Sequence, residues 1–467
     1  RTARLMRVKH LFFICTVLSA FPFGAQVQLR GLSFWNEPTL DIYQIENQLS
    51  QQKKWLQRVT PDSIGIFNAQ LDLQQITTLQ ICGSNKCALL YTQPKGRYLI
   101  ELPEVEQQTF YNQDQQDVEL LFYQLDTNDI NYRILGFEAW MDNYIADIYQ
   151  LKDIRSNEFI LKVLAFKAET AMVYGEESNT FLRDYIKYSV GLTIDNFSVI
   201  GGPSKDDKYN FYLQTDSVDY TQPKLIEYAQ LFYENYDSQV DLKVRNAIDI
   251  SIQANSLDGL IKALQQDPYI HNVAWAEFVA LEMIIEGEQT NRIPKELALE
   301  LLMNLSKVGQ QKGLRDAAAY FWLEKSKLAN GQTWNRSYVE KQLGLRLEPN
   351  QYLYLHHYIP GNQKCIAEMA ALKRLAERYK DKVQIITFVQ QDAVWTNADN
   401  KAFEGAKWQR LALPKTATLW QQLGWKSSPA YILLDPQLKV LYLDALGPLP
   451  NARTQTIDLI FSQLFSN

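Results

Sequence analysis

The sequence predicts a multidomain protein with an N-terminal antiparallel β-sandwich, a central all-α domain and a C-terminal α/β domain. Three observations predict it. Residues 26–105 alternate apolar and polar side chains between turn residues, the period-two signature of half-buried strands. Residues 115–345 change to apolar spacings of three and four, the helical period. Residues 347–467 open with a strand-like run, Tyr352 to Tyr358, which turns at Pro360-Gly361 into an amphipathic helix carrying Cys365. At 467 residues the chain is too long for one ordinary core, and roughly 150 residues per domain gives about three.

The hydrophobic fraction of 46% and the charged fraction of 21% are those of a globular protein able to bury a sizeable interior. From Arg346 onward the 14 Lys and Arg outnumber the 10 Asp and Glu by 4, so the net charge of -6 leaves -10 on the part before it. That mild asymmetry reads as solvated surface. No basic stripe with interleaved aromatics is present, which argues against a nucleic-acid partner.

The first 25 residues read as an export signal. Arg7 and Lys9 precede an apolar run, Leu11 to Phe23, too short to span a bilayer and closed by Gly24-Ala25 before Gln26. Met6 reads as the translation start. Phe23 occupies the position three before the cut where a small residue is preferred, so an uncleaved anchor is the alternative, and Cys15 lies inside the run rather than at its end, unlike a lipid-modified cysteine. No later run is long and apolar enough to span a membrane. The expected location is the periplasm or cell envelope.

Within the β region, alternation is clearest in Gly65–Leu73, Thr78–Cys82 and Arg97–Pro103. Cys82 and Cys87 flank the turn residues Gly83-Ser84-Asn85, and in an oxidising compartment this pair is placed to close a structural disulfide. Its C-x4-C spacing fits neither a redox C-x-x-C nor half of a zinc site. A polar linker, Glu104 to Gln116, follows. The phrases 118–125, 134–145 and 181–192 then carry aromatics and leucines at helical spacing, and helices continue from Lys224 to about Ala329 with breaks at Gly201-Gly202-Pro203, Asp267-Pro268 and Arg292-Ile293-Pro294. Ser256-Leu-Asp-Gly259 reads as a helix start. No fixed repeat period is present, which leaves an irregular α domain, and its aromatic stripes read as core faces. No phosphate loop, H-E-x-x-H, nucleophile elbow or calcium loop occurs, so no cofactor or metal is expected.

The C-terminal motif is Cys365-Ile-Ala-Glu368-Met369-Ala-Ala-Leu372, followed later by Gly424-Trp-Lys-Ser-Ser428-Pro429-Ala-Tyr-Ile-Leu-Leu-Asp435. Residues 351–467 resemble the thioredoxin-like domains of envelope thiol-disulfide proteins of the TlpA and ResA type, which read strand, C-x-x-C, then R-x-E-M-x-x-L. The resemblance implies a thioredoxin-like fold, with Pro429 at the cis-proline position and Cys365 at the second, resolving cysteine. The 95–103 segment and the helical phrases are similar to the β and helical domains that precede such domains in large bacterial envelope proteins.

The chain departs from that pattern at one decisive place: the first cysteine falls on Asn362. Thiol-disulfide exchange needs an exposed thiolate to attack and a second thiol to resolve the mixed disulfide. An amide does neither. Cys365, Met369, Leu372, Ala376 and Tyr379 recur on one face of a 3.6-residue repeat, so Cys365 is expected to point inward as a small hydrophobe. A peroxiredoxin-like C-x-x-E reading fails upstream, where Asn362 and Tyr358 stand in place of the threonine and proline it requires. His356 and His357 adjoin this stretch, but neighbours on a strand face opposite sides, and two histidines alone lack the further ligands zinc needs.

The expectation is therefore an exported envelope protein whose thioredoxin-like domain binds a polypeptide or partner protein without turnover. By the resemblance, the edge beside Pro429 holds extended chain through the backbone of Ser428, with His357 nearby. The alternative is a thiol-disulfide oxidoreductase using Cys365.

Overall fold

Side chains that alternate along an extended backbone must find a second layer to cover them, and the N-terminal strands do so by forming two sheets around one core. The computed structural model describes residues 26–84, 86–104, 116–151, 156–195, 203–336, 338–391, 393–414, 417–425, 427–451 and 453–465. The expected export signal at 1–25, Asn85, Gly201-Gly202 and nearly all of the 104–116 linker lie outside these residues. The chain divides after Glu234 into two compact units.

In the first unit the strands are β1 (Val27–Ser33), β2 (Leu40–Asn47), β3 (Gln52–Val59), β4 (Ile66–Leu71), β5 (Thr77–Cys82), β6 (Lys86–Thr92), β7 (Arg97–Leu102), β8 (Gln116–Asp117) and β9 (Leu121–Gln124). They form one sheet in the order β4-β1-β7-β9 and another in the order β3-β2-β5-β6-β8. Val27, Leu29, Phe67, Tyr98 and Ile100 from the first share a core with Ile42, Leu79, Ile81 and Leu90 from the second. Gly31 sits under the Phe67 ring, where a Cβ would lie 2.2 Å from Cζ, so a larger residue there would have to displace that ring.

Two expectations are corrected here. The sandwich is not wholly antiparallel, because β1 pairs with β7, and β6 with β8, in parallel. The phrase 118–125, read as helical, instead contains β9, which pairs antiparallel with β7. The physical reason is that Val118, Leu120 and Phe122 alternate and turn toward the sandwich core, and a short run of leucines and aromatics satisfies both periods.

Cys82 and Cys87 lie directly opposite each other across the β5–β6 hairpin and are disulfide-bonded, with the turn closed by Gly83 N–H to Lys86 C=O at 2.8 Å. Replacing both cysteines by serine removes a short closed loop, which the chain-entropy model values at about 2 kcal/mol. Urea unfolding of the double variant is expected to show that loss, and an unreduced digest of the protein to yield the two cysteines disulfide-linked.

The helices of this unit are α1 (Ile130–Tyr149), α2 (Asn157–Tyr174), α3 (Thr180–Thr193), α4 (Lys205–Lys208) and α5 (Pro223–Phe232). Asp129, Ser156 and Asn179 cap the first three through side-chain oxygens. Beyond β8, the free edge of β6 is closed by Asn131, whose amide accepts from Tyr91 N–H at 3.1 Å and donates to Tyr91 C=O at 2.6 Å.

The second unit begins with α6 (Tyr236–Gln239), α7 (Leu242–Gln253), α8 (Leu257–Leu264), α9 (Val273–Gln289), α10 (Lys295–Val308) and α11 (Lys312–Ser326). Ser256 caps α8 by accepting from Gly259 N–H at 3.1 Å. Then follow β10 (Tyr352–His357), α12 (Gln363–Arg378), β11 (Val383–Gln390), α13 (Asn397–Phe403), β12 (Gln409–Leu413), α14 (Leu419–Leu423), β13 (Ala430–Leu434), β14 (Val440–Tyr442) and α15 (Ile457–Phe465). The sheet order is β12-β11-β10-β13-β14, with β10, β11 and β12 parallel and β13 antiparallel to β10. One face buries Tyr354, Tyr431 and Leu433 under Cys365, Met369 and Leu372 of α12 and Phe461 of α15. The other buries Leu353, Leu355 and Ile432 against Leu419, Leu423 and Trp334.

Candidate functional site

Strand directions decide where a site can form. The C-terminal ends of β10 and β11, the N-terminal end of β13 and the N-terminus of α12 all meet at one edge of the sheet. Open α/β sheets place ligands at that edge.

The turn after β10 is held by a carboxylate that the sequence reading missed. Asp399, fully buried, accepts from Tyr358 Oη at 2.6 Å, Gly361 N–H at 3.0 Å, Thr396 N–H at 2.8 Å and Thr396 Oγ1 at 2.6 Å. Burial pushes its pKa up, but the hydrogen bonds from Thr396, Tyr358 and Gly361 outweigh it and hold the carboxyl at about 2. The available signal was Thr396-Asn-Ala-Asp399, a capping box at the start of α13. Tyr358 also packs against Trp395 and Phe403, and the Arg410 guanidinium covers Trp395 at 4.7 Å.

Asn362 is the N-cap of α12. Its Oδ1 accepts from Lys364 N–H at 2.9 Å and Cys365 N–H at 3.3 Å, so the side chain at the attacking position satisfies helix donors. Its Nδ2 reaches toward Ser428 C=O at 3.5 Å, the long limit of a hydrogen bond.

Cys365 is fully buried and is the free cysteine among the described residues. Its Sγ lies 3.1 Å from Ser428 Oγ, which lies 3.1 Å from His357 C=O. The one hydroxyl proton of Ser428 can go to that carbonyl or to Sγ, so either atom can be the donor across the Sγ–Oγ contact. Burial pushes the thiol pKa up, against the lowering effect of hydrogen bonds from Ser428 and the Ile359 backbone, with Glu368 and Asp399 adding in the same direction as burial. Glu368 beneath it is hydrogen-bonded by Tyr431 Oη, and burial raises its pKa.

The Ser428–Pro429 peptide is cis. Ser428 N–H makes no hydrogen bond among the described residues, and its carbonyl makes only the long contact with Asn362. Exposed Ile359 and Val394 stand on the loops leaving β10 and β11 at this edge. His357 lies on the opposite face of the strand from His356. Its Nδ1 is 3.2 Å from Ser427 C=O, and its ring stacks at 5.0 Å on Trp425 and packs at 5.2 Å against Trp420. Donation from Nδ1 leaves Nε2 as an acceptor, and burial lowers the pKa of the ring against the effect of that carbonyl.

His356 is fully buried, stacked on Tyr431, with Nδ1 3.1 Å from Thr387 Oγ1 and Nε2 without a hydrogen-bond partner. Burial, with His357 adjacent, lowers its pKa to about 3. The site thus brings together Asn362, Cys365, Ser428, Pro429 and His357, whereas Cys82 and Cys87 belong to the first unit. Among the described residues no group of three or more His, Cys, Asp or Glu could hold a metal ion, and no helix is long and apolar enough to cross a membrane.

No protein-family model matches the chain, and no curated protein does. Among solved structures, a thiol-disulfide oxidoreductase from Bacteroides fragilis is similar at 23% identity, covering 20% of this chain and 72% of that one, with a TM-score of 0.18. A thiol:disulfide interchange protein from Bacteroides sp. is similar at 18% identity over 25% of this chain and 75% of that one, with a TM-score of 0.21. A thioredoxin-like protein from Bacteroides caccae covers 52% of this chain and 93% of its own at 15% identity, with a TM-score of 0.22. At such scores the reading of the site rests on its own geometry.

Proposed function

We propose that the C-terminal thioredoxin-like domain binds extended polypeptide, or a strand of an envelope protein, at the edge formed by Ser428, Pro429 and the 358–362 turn, and does not exchange disulfides. One observation carries this reading: the residue at the attacking position is an amide engaged in capping α12, and the surviving thiol is buried against Ser428. The open Ser428 N–H supplies a main-chain group of the kind that pairs with an added strand. Exposed Ile359 and Val394 supply apolar contact beside it. His357 Nε2 supplies an acceptor. The expected export signal at 1–25 would deliver the protein to the periplasm or cell envelope.

The second reading, a thiol-disulfide oxidoreductase acting through Cys365, is favoured by the position of that residue in the first turn of a helix, where thiolates are stabilised. A thiol count separates the two. Under the binding reading Cys365 reacts with Ellman's reagent in denaturant and resists it in the native protein, insulin is not reduced, and a reduced, unfolded polypeptide is retained by the immobilised protein. Rapid native labelling, together with insulin reduction that Cys365→Ser abolishes, would establish the oxidoreductase instead.

A further inference from the structure

A cavity of about 420 Å³ opens along α10 in the second unit, with α11, the 332–335 segment, Lys341 and Gln422 as its other walls. It lies within the size range of small-molecule sites. Its walls are chemically mixed. Trp322 and buried Trp334 supply flat apolar surface, while Lys295, Glu296, Asn304 and Gln332 present a cation, a carboxylate and two amides. Ala298, Leu301, Leu302 and Leu305 fill the opposite face of α10, so the helix is anchored and its polar face is left for the cavity. None of the four polar side chains forms a hydrogen bond or salt bridge among the described residues.

This mixture narrows the ligand. A purely apolar occupant would strip water from four polar side chains and return nothing. Lys295, Lys307 and Lys341 share the walls with Glu296 and Glu300, so a simple anion or a simple cation would gain some of these charges and meet the others. A ligand carrying many hydroxyls donates and accepts at each of them, so it satisfies carboxylate, ammonium and amides together. A sugar ring also offers a C–H face that packs on indole. We infer that this cavity is a binding site for an oligosaccharide, held by Glu296, Asn304, Gln332 and Lys295 over Trp322 and Trp334. It is separate from the peptide edge and does not rest on the function proposed there.

The test uses the full chain on an array of gluco-, manno-, galacto-, xylo- and galacturono-oligosaccharides, followed by calorimetric titration of the best-bound glycan. Glu296→Gln and Asn304→Ala are expected to weaken that binding about tenfold each, the loss of one or two hydrogen bonds to a ligand. Both residues are exposed, so unchanged thermal unfolding of the variants shows that the fold is intact. Lys295→Gln is expected to weaken the galacturono-oligosaccharides more than the neutral ones if the ligand is a sugar acid, and all of them equally if it is neutral. Trp322→Ala should abolish binding. No signal anywhere on the array, or binding that survives Glu296→Gln, Asn304→Ala and Trp322→Ala alike, overturns the inference. Neither outcome bears on insulin reduction or peptide retention.

Discussion

On the binding reading proposed for this edge, Asn362→Cys is expected to create a redox-active pair. The new thiol would sit at the N-cap of α12, where the helix terminus stabilises a thiolate, with Cys365 three residues on in the same first turn. A helix-terminal cysteine with a pKa near 7 carries roughly tenfold more thiolate at pH 7 than a free one. Exchange would proceed by attack of the position-362 thiolate on a substrate disulfide, followed by attack of Cys365 on the mixed disulfide, releasing substrate dithiol and leaving the pair oxidised. For that second step Cys365 must give up its contact with Ser428. The variant is expected to lose two titratable thiols on mild oxidation and to reduce insulin with dithiothreitol as donor at a rate well above that of the parent chain. It should also lose about 1 kcal/mol of stability with the Asn cap. If no disulfide forms between the two positions, the turn does not hold them in bonding geometry.

Asp399→Ala is expected to be the most destabilising single change at the site, by about 3 kcal/mol, from an orphaned buried hydroxyl on Tyr358 and a lost helix cap. Thr396 and Gly361 are exposed and can turn to water, so the penalty centres on Tyr358. In a Tyr358→Phe background the same substitution should cost less by about 1 to 2 kcal/mol, because no orphan remains. The sign of the pH dependence follows from the depressed pKa. With a folded value of about 2 against an ordinary 3.8, the unfolded chain binds more protons in between. The contribution of Asp399 is therefore fully present above about pH 4 and is lost as pH falls through about 2. Acid unfolding monitored from pH 5 to pH 2 should show a shallower slope for the variant than for the parent.

What could be read from the sequence follows local period. The inward face of α12 is a five-fold repeat that needs no partner to be recognised, and Ser256 announces α8 by chemistry confined to four residues. Features that depend on distant segments leave no such trace. Asp399 gathers donors from Tyr358, Gly361 and Thr396, and only the last is near it in sequence. The indoles around His357 come from residues some 65 positions later, and the parallel pairing of β1 with β7 joins segments about 70 residues apart. Residues 118–125 failed for a different reason, since eight residues are too few to separate a period of two from one of 3.6 when nearly every other side chain is apolar.

The order β4-β1-β7-β9 places the first described strand in the middle of its sheet, paired on both sides. Trimming the chain a few residues beyond Gln26 would therefore take away an interior strand, not a dispensable tail. The same placement delays assembly during synthesis, because that sheet cannot close until the ribosome has released the residues of β7.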